Sequence, residues 1–363
     1  MAKSAKYLLI GSTEAYSGKS ATIVGVAHQL QQKGLDIAYG KPLGTCLSVN
    51  QPDAIEEDVR FMTEVLNLPQ KKVRSPLLSL DAETIQKRLE GEDTTDYCHS
   101  LKEYLQQTSG DLILLEGPGT LSEGSLFNLS LLEVAQEINA TVLLVVRYHS
   151  VLLVENLLYA KQHFGNCLAG VLINDIPADQ LAIAQSTIRP FLEKHNIPVL
   201  GMTPRSELLR SVSVRELVLQ LKAQVLCRSD RLDLMVESLT IGAMNVNSAL
   251  KYFRKRRNMA VVTGGDRTDI QMAALETSTQ CLILTGQLPP QSMIINRAEE
   301  LEIPVLSVDL DTLTTVEIIN HAFGQVRLHE PIKVECMRHL IAQHFDIDRL
   351  MSQLGLEPAI PAL

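Results

Sequence analysis

The chain has 363 residues, 45% of them hydrophobic and 21% charged, with no Trp and a formal net charge of −9 at pH 7. That length exceeds one ordinary core and sets two domains as the expectation, and with aromatics at only 4% the cores must be aliphatic, as buried parallel strands are. The acidic balance argues against nonspecific attachment to nucleic acid or an anionic membrane, and no apolar run reaches the length of a membrane span.

The opening MAKSAKYLLIGSTEAYSGKS does not read as a secretory signal, because the apolar run Tyr7–Ile10 is short and leads straight into a glycine. Tyr7–Ile10 is instead the first predicted strand, and Lys19–Lys33 the helix after it. Further buried strands are predicted at Asp36–Tyr39, Asp111–Leu115, Thr141–Val146, Leu168–Ile173 and Pro198–Gly201, with a helix at Leu126–Ile138. This alternation predicts an α/β fold with a parallel sheet covered on both faces.

Pro204 breaks the pattern, and from about Ser211 it restarts. SVSVRELVLQL reads as a strand entering a helix. The strands Met259–Val262, Cys281–Leu284 and Pro304–Val308 then alternate with helices at Ile270–Ala274 and Ile294–Leu301, forming a second, smaller α/β unit. The expected division is 1–207 for the first domain, 213–330 for the second and 331–363 for a terminal helix, near Cys336–Leu354, and tail. The six cysteines, Cys46, Cys98, Cys167, Cys227, Cys281 and Cys336, contain no CxxC pair. They read as reduced thiols of a cytoplasmic protein, not as zinc ligands or a disulfide framework.

Between the first strand and its helix stands Gly11–Ser20, GSTEAYSGKS. A glycine loop after a strand, opening a helix with GKS, is the setting of a phosphate-binding P-loop of an NTPase. Backbone N–H groups of the loop face phosphate oxygens; Lys19 reaches the β- and γ-phosphates, and the Ser20 hydroxyl holds magnesium. The spacing departs from G-x-x-x-x-G-K-[ST], since Thr13 occupies the first glycine's place and Gly11 lies two residues earlier. The alternative is an ordinary strand-to-helix turn. The expected nucleotide contacts are Thr13, Gly18, Lys19, Ser20, Thr22 and Asn174.

Magnesium needs carboxylates as well. Glu116 ends a buried strand at the edge where open α/β sheets bind ligands. Asp58 is the second candidate and Asp53 its alternative; either could be helix surface. Lys41, after the second strand, is expected to face the γ-phosphate or a second substrate, and with Lys19 forms the expected catalytic pair. Asn174, ending the strand Leu168–Ile173, could read the edge of a base with its donor and acceptor. His149 could face the same site or simply lie at the surface.

In the second unit, Thr263, Gly264, Gly265, Asp266 and Arg267, with Thr285 and Gly286 one strand later, form a second glycine turn. It reads either as a small-anion effector site or interface, or as a well-built turn in which Asp266 caps the helix and Arg267 pairs with a carboxylate or phosphate. The basic run Lys251–Arg257 reads as a solvated helix end more than a nucleic-acid surface.

Taken in order, GSTEAYSGKS, Lys41-Pro42, Glu116-Gly117-Pro118-Gly119, Asn174-Asp175 and Gly201-Met202-Thr203-Pro204 resemble the dethiobiotin synthetase family over roughly the first 205 residues. Residues 262–269, VTGGDRTD, with Leu284-Thr285-Gly286 resemble the DRTGG domain. Long bacterial phosphate acetyltransferases begin with the same two modules. The resemblance implies a homo-oligomer, a dimer or higher, that binds ATP and Mg2+. It also implies a regulatory portion standing without the acetyl-transfer domain, so that acetyl transfer is not expected. The longer loop with Tyr16 and the interrupting Pro118 depart from the synthetases. Three functions follow as expectations: an Mg-ATP-binding regulatory protein with slow ATP hydrolysis and an effector-sensing or dimerising second domain; an ATP-dependent ligase activating a carboxylate or carbamate; or a non-enzymatic scaffold with a vestigial P-loop.

Overall fold

The computed structural model describes residues 6–44, 57–106, 108–324, 328 and 330–357. The chain divides into two compact units, Met1–Arg205 with Leu328–Leu363, and Ser206–Arg327.

The first unit is built on a seven-stranded sheet. Its strands are β1 (Lys6–Ser12), β2 (Ile37–Gly40), β3 (Val73–Arg74), β4 (Leu112–Glu116), β5 (Thr141–Arg147), β6 (Leu168–Ile176) and β7 (Val199–Pro204). They run parallel in the order β3-β2-β4-β1-β5-β6-β7. β4 is buried along its whole length and β1, β5 and β6 nearly so, which is why they read as continuous aliphatic runs and not as alternating ones. One face packs Leu9, Ile113, Leu144 and Val171 against residues such as Leu101, Val134 and Leu157. Helix α1 (Lys19–Gln32) follows β1 directly and buries Ile23, Val24, Val26, Ala27 and Leu30. Chain order turns back at β1: the strands before Ala140 lie on one side of it and β5, β6 and β7 on the other, so a crevice opens at its C-terminal end.

Two elements differ from expectation for local reasons. The helix expected over Leu126–Ile138 begins only at Leu131, as α2 (Leu131–Glu137), because Ser130 and Glu133 close a capping box there. The single terminal helix is two, α3 (Pro331–His344) and α4 (Ile347–Leu354). Phe345 leaves the helix to bridge Gly201, and Asp346 caps the second by accepting from Arg349 N. Both terminal helices belong to the first unit. A Cβ on Gly25 of α1 would lie 2.4 Å from Ile341 Cγ1, so that glycine makes room for α3.

The second unit has a five-stranded sheet of β8 (Gln224–Cys227), β9 (Ser238–Ile241), β10 (Met259–Gly264), β11 (Thr279–Thr285) and β12 (Val305–Val308), in the order β8-β12-β11-β10-β9. β8 is antiparallel to β12 and the others are parallel. One face packs against Phe253, Ile270, Ala274 and Ile294, the other against Val214, Leu217, Val316 and Ile319. Of the basic run, Lys251 and Arg254–Arg257 are exposed just before β10.

Candidate functional site

The loop between β1 and α1 turns on Gly18, whose φ of 97° is open to glycine at little cost. Tyr16 also takes a positive φ, 55°, and is exposed at the loop tip. Gly11 lies within β1, where a Cβ would meet Leu131 Cδ2 at 2.2 Å. The early glycine that disturbs the usual spacing thus serves packing against α2 and not the approach of a phosphate.

Lys19, Ser20, Lys41, Asp58 and Glu116 converge beside this loop. Lys19 Nζ donates to Ser12 Oγ at 3.1 Å. Ser20 Oγ donates to Glu116 Oε1 at 2.9 Å, and Tyr39 OH donates to Glu116 Oε2 at 2.9 Å. Lys41 Nζ lies 2.5 Å from Asp58 Oδ2 and 3.9 Å from Glu116 Oε1. Lys41 and Glu116 are only 4% and 3% exposed. Burial pushes the Lys19 ammonium below its ordinary pKa; Glu116 opposes that shift and Lys41 adds to it.

The other expected residues fall as follows. Thr13 lies in the loop, partly buried. Thr22 is fully buried and its hydroxyl donates to Gly18 O at 2.9 Å, closing the first turn of α1. Asn174 is at the loop, but its amide is engaged at both ends, donating to Ser17 O at 2.9 Å and accepting from Thr203 Oγ1 at 2.6 Å. His149 is exposed and sits 3.0 Å from Glu14 of the loop. Asp53 lies outside the described residues. Tyr39 went unnoticed in the sequence, although its place two residues before Lys41 puts it on the strand that ends at the site. The Asp175 ion pairs with Arg147 and Arg205, at 3.0 and 3.1 Å, left no sequence signal.

Ser20, Asp58 and Glu116 form a hard-oxygen donor set of one hydroxyl and two carboxylates. That set fits magnesium, which takes one or two carboxylates and completes its shell with phosphate oxygens and water. Among the described residues no three His, Cys, Asp or Glu side chains form a metal-holding group of their own.

The second glycine turn is built differently. Thr263 is buried and donates to Gly242 O at 3.0 Å; Thr285 Oγ1 lies 3.0 Å from Thr312 Oγ1. Gly286 has φ 85°. A Cβ on Gly265 would lie 2.1 Å from Leu288 O. Gln271, fully buried, donates to Gly264 O and Gly265 O at 2.8 and 3.0 Å. Asp266 is exposed and does not cap the helix Thr268–Leu275, which has no side-chain cap; its carboxylate lies over Gly264, where a Cβ would meet Oδ1 at 2.5 Å. Arg267 donates to Met244 O at 2.8 Å and pairs with Asp269 at 3.5 Å.

Two family models match the chain. The AAA domain family matches residues 6–213, and the DRTGG domain family residues 216–322. A phosphate acetyltransferase of Nitratidesulfovibrio vulgaris is 26% identical over 96% of this chain and 51% of its own length. The chain spans about half the length of the first curated relatives it matches. The septum site-determining protein MinD of Pyrococcus horikoshii OT3, solved with Mg-ADP, is 16% identical, covering 57% of this chain and 84% of that one, with a TM-score of 0.34. The CBS and DRTGG domains of Clostridium perfringens pyrophosphatase, solved with diadenosine tetraphosphate, are 21% identical, covering 43% of this chain and 75% of that one, with a TM-score of 0.29. The expected pairing of a P-loop domain with a DRTGG domain, shared with phosphate acetyltransferases, is borne out.

Proposed function

The chain belongs to the AAA domain family, and from that membership and the site geometry we propose that its first unit binds Mg-ATP on the Thr13–Ser20 loop. The observation that carries this reading is the convergence on one glycine loop of a buried ammonium and a buried carboxylate, Lys41 and Glu116, with the partly buried Lys19 and Asp58. Burying charge is unfavourable unless partners compensate it. Burial lowers the Lys19 pKa despite the nearby carboxylates of Glu116, Glu123 and Asp58. A polyphosphate oxygen beside Lys19 would favour its charged form.

In this reading Lys19 exchanges Ser12 Oγ for a phosphate oxygen, and the loop N–H groups donate to others. Ser20, Asp58 and Glu116 hold the metal, while Tyr39 fixes Glu116 from behind through Oε2. Bound magnesium supplies positive charge against the phosphate oxygens. Calorimetric titration of the intact chain with ATP and magnesium tests the proposal. Binding by the wild type that is lost in Lys19→Ala supports it, and a wild type that binds no nucleotide contradicts it.

A second reading, ATP-dependent ligase chemistry, draws on Lys41. A second buried ammonium beside Lys19 adds charge stabilisation at a transferring phosphoryl group, more than binding alone requires. Phosphate release from ATP that rises with diaminopelargonate and bicarbonate supports this reading; release indifferent to diamines and carboxylic acids counts against it. For the second unit we infer a regulatory part, effector sensing or dimerisation, in a cytoplasmic homo-oligomer. Light scattering that gives a monomer at every concentration counts against the dimerising form.

A further inference from the structure

We propose that Thr203 and Arg205, where β7 ends, are positioning residues for the phosphate loop, acting through Asn174 and Asp175. The inference rests on the reading of that loop as the nucleotide site.

The strands β6 and β7 lose register at this place. Ile173 pairs with Met202 and Ile176 with Pro204, so two residues of β6, Asn174 and Asp175, stand where β7 has only Thr203. A bulge of this kind re-aims a side chain. Asp175 takes up the distortion with a φ of 61°, a left-handed conformation unfavourable for a residue with a side chain. It is held there from both sides: Arg147 Nε, at the end of β5, donates to Oδ2 at 3.0 Å, and Arg205 Nε, one residue past β7, to Oδ1 at 3.1 Å. Backbone bonds from Tyr148 N to Asn174 O, 2.8 Å, and from Arg205 N to Ile176 O, 2.7 Å, close the kink on either side.

The kink delivers the Asn174 amide to the loop. Its orientation is fixed by its partners: the carbonyl of Ser17 only accepts and so faces Nδ2, while the hydroxyl of the fully buried Thr203 donates to Oδ1. Ser17 O and Gly18 N–H belong to one peptide plane and, the bond being trans, point opposite ways. Holding Ser17 O on Asn174 therefore turns the Gly18 N–H away from β6, as a free donor of the kind that phosphate loops present. The amide also occupies the space a Gly18 side chain would need, with Nδ2 2.4 Å from an ideal Cβ. Asn174 thus orients the loop and need not touch the base.

Arg205 is, in addition, the last residue of the first unit before the chain enters the second at Ser206.

The test compares Thr203→Val, which removes the hydroxyl, with Thr203→Ser, which keeps it, both in the full chain. Two quantities are read: Mg-ADP affinity by calorimetry, and hydrogen exchange of the Asn174 side-chain amide, which donates to Ser17 O, without ligand. Thr203→Val should weaken Mg-ADP by about three- to tenfold, the scale of one buried hydrogen bond, and quicken exchange of the Asn174 side-chain amide, and Thr203→Ser should restore both. A Thr203→Val protein with a lower melting temperature but wild-type affinity and wild-type exchange would overturn the proposal, because the contact would then be merely structural. A wild type that binds no Mg-ADP, with exchange of the Asn174 side-chain amide still quickened by Thr203→Val, removes the nucleotide reading and leaves the positioning role standing. Should Thr203→Val fail to fold, Arg205→Lys, which keeps the charge and loses the fixed Nε geometry, must quicken the same side-chain amide or the proposal falls.

Discussion

The two glycine turns of this chain look alike in sequence and do opposite things with their side chains. Each follows a buried parallel strand and opens a helix. Around Gly18 the neighbouring polar groups are Lys19, Lys41, Asp58 and Glu116, with Lys41 and Glu116 buried and Lys19 and Asp58 partly so. Around Gly265 the donors are engaged within the protein, Gln271 Nε2 by two carbonyls of the turn, Arg267 by Met244 O and Asp269, and Thr263 by Gly242 O, while Gln271 Oε1 is buried without a hydrogen-bond partner. A glycine turn is permissive for ligand approach, but the buried charge beside it marks a place that a charged ligand improves.

The sharpest way to break this contrast is to remove one cation from each turn. Lys19→Ala should weaken Mg-ATP by about a hundredfold or more, since it deletes a charged partner in a desolvated site. Arg267→Ala should leave that affinity within about twofold of wild type. Equal losses measured by calorimetry would erase the distinction.

Stability is the next discriminator. Gly265→Ala forces a Cβ against Leu288 O and should destabilise the second unit by about 1–3 kcal/mol. Gly18→Ala meets both an unfavourable φ and Asn174 Nδ2, and should destabilise the first unit by a similar ~1–3 kcal/mol. Thermal unfolding followed by hydrogen exchange in each unit separates the two. A Gly265→Ala protein as stable as wild type would mean that the second turn has slack to admit a ligand.

The smallest expected effect concerns the ligand-free protein. The folded-state pKa of Lys19 is lowered, mainly by burial. Between that value and the ordinary lysine value the unfolded chain binds more protons, so the group's contribution to stability rises with pH across that window. Below the window it is a constant penalty. Lys19→Met should therefore raise the ligand-free melting temperature at pH 7, and the gain should shrink as pH climbs through the window. A gain that grows with pH would mean that Lys19 is raised, not lowered, by its surroundings.

Much of this site was legible in the sequence. The aliphatic runs located β1, β4, β5 and β6; Glu116 follows as the last residue of β4 and Lys19 as the first of α1, whereas Asn174, expected just past a strand ending at Ile173, lies inside β6, which runs on to Ile176. Capping chemistry and irregular backbone were harder to see. Ser130 and Glu133 start α2 later than the apolar run begins, and Phe345 breaks what reads as one terminal helix. The bond from the Thr22 hydroxyl to the Gly18 carbonyl could not be read from spacing alone. The role of Asn174 depends on a one-residue bulge against β7, and a register slip between strands distant in sequence leaves no trace in either strand's own pattern.

The most direct test of the central claim is amide hydrogen exchange over the whole chain with and without Mg-ATP. Protection should appear at Gly11–Ser20, with the amides near Asn174, and not at Gly264–Thr268. Protection of the second turn with the first unchanged would contradict the assignment of the buried charge cluster as the nucleotide site.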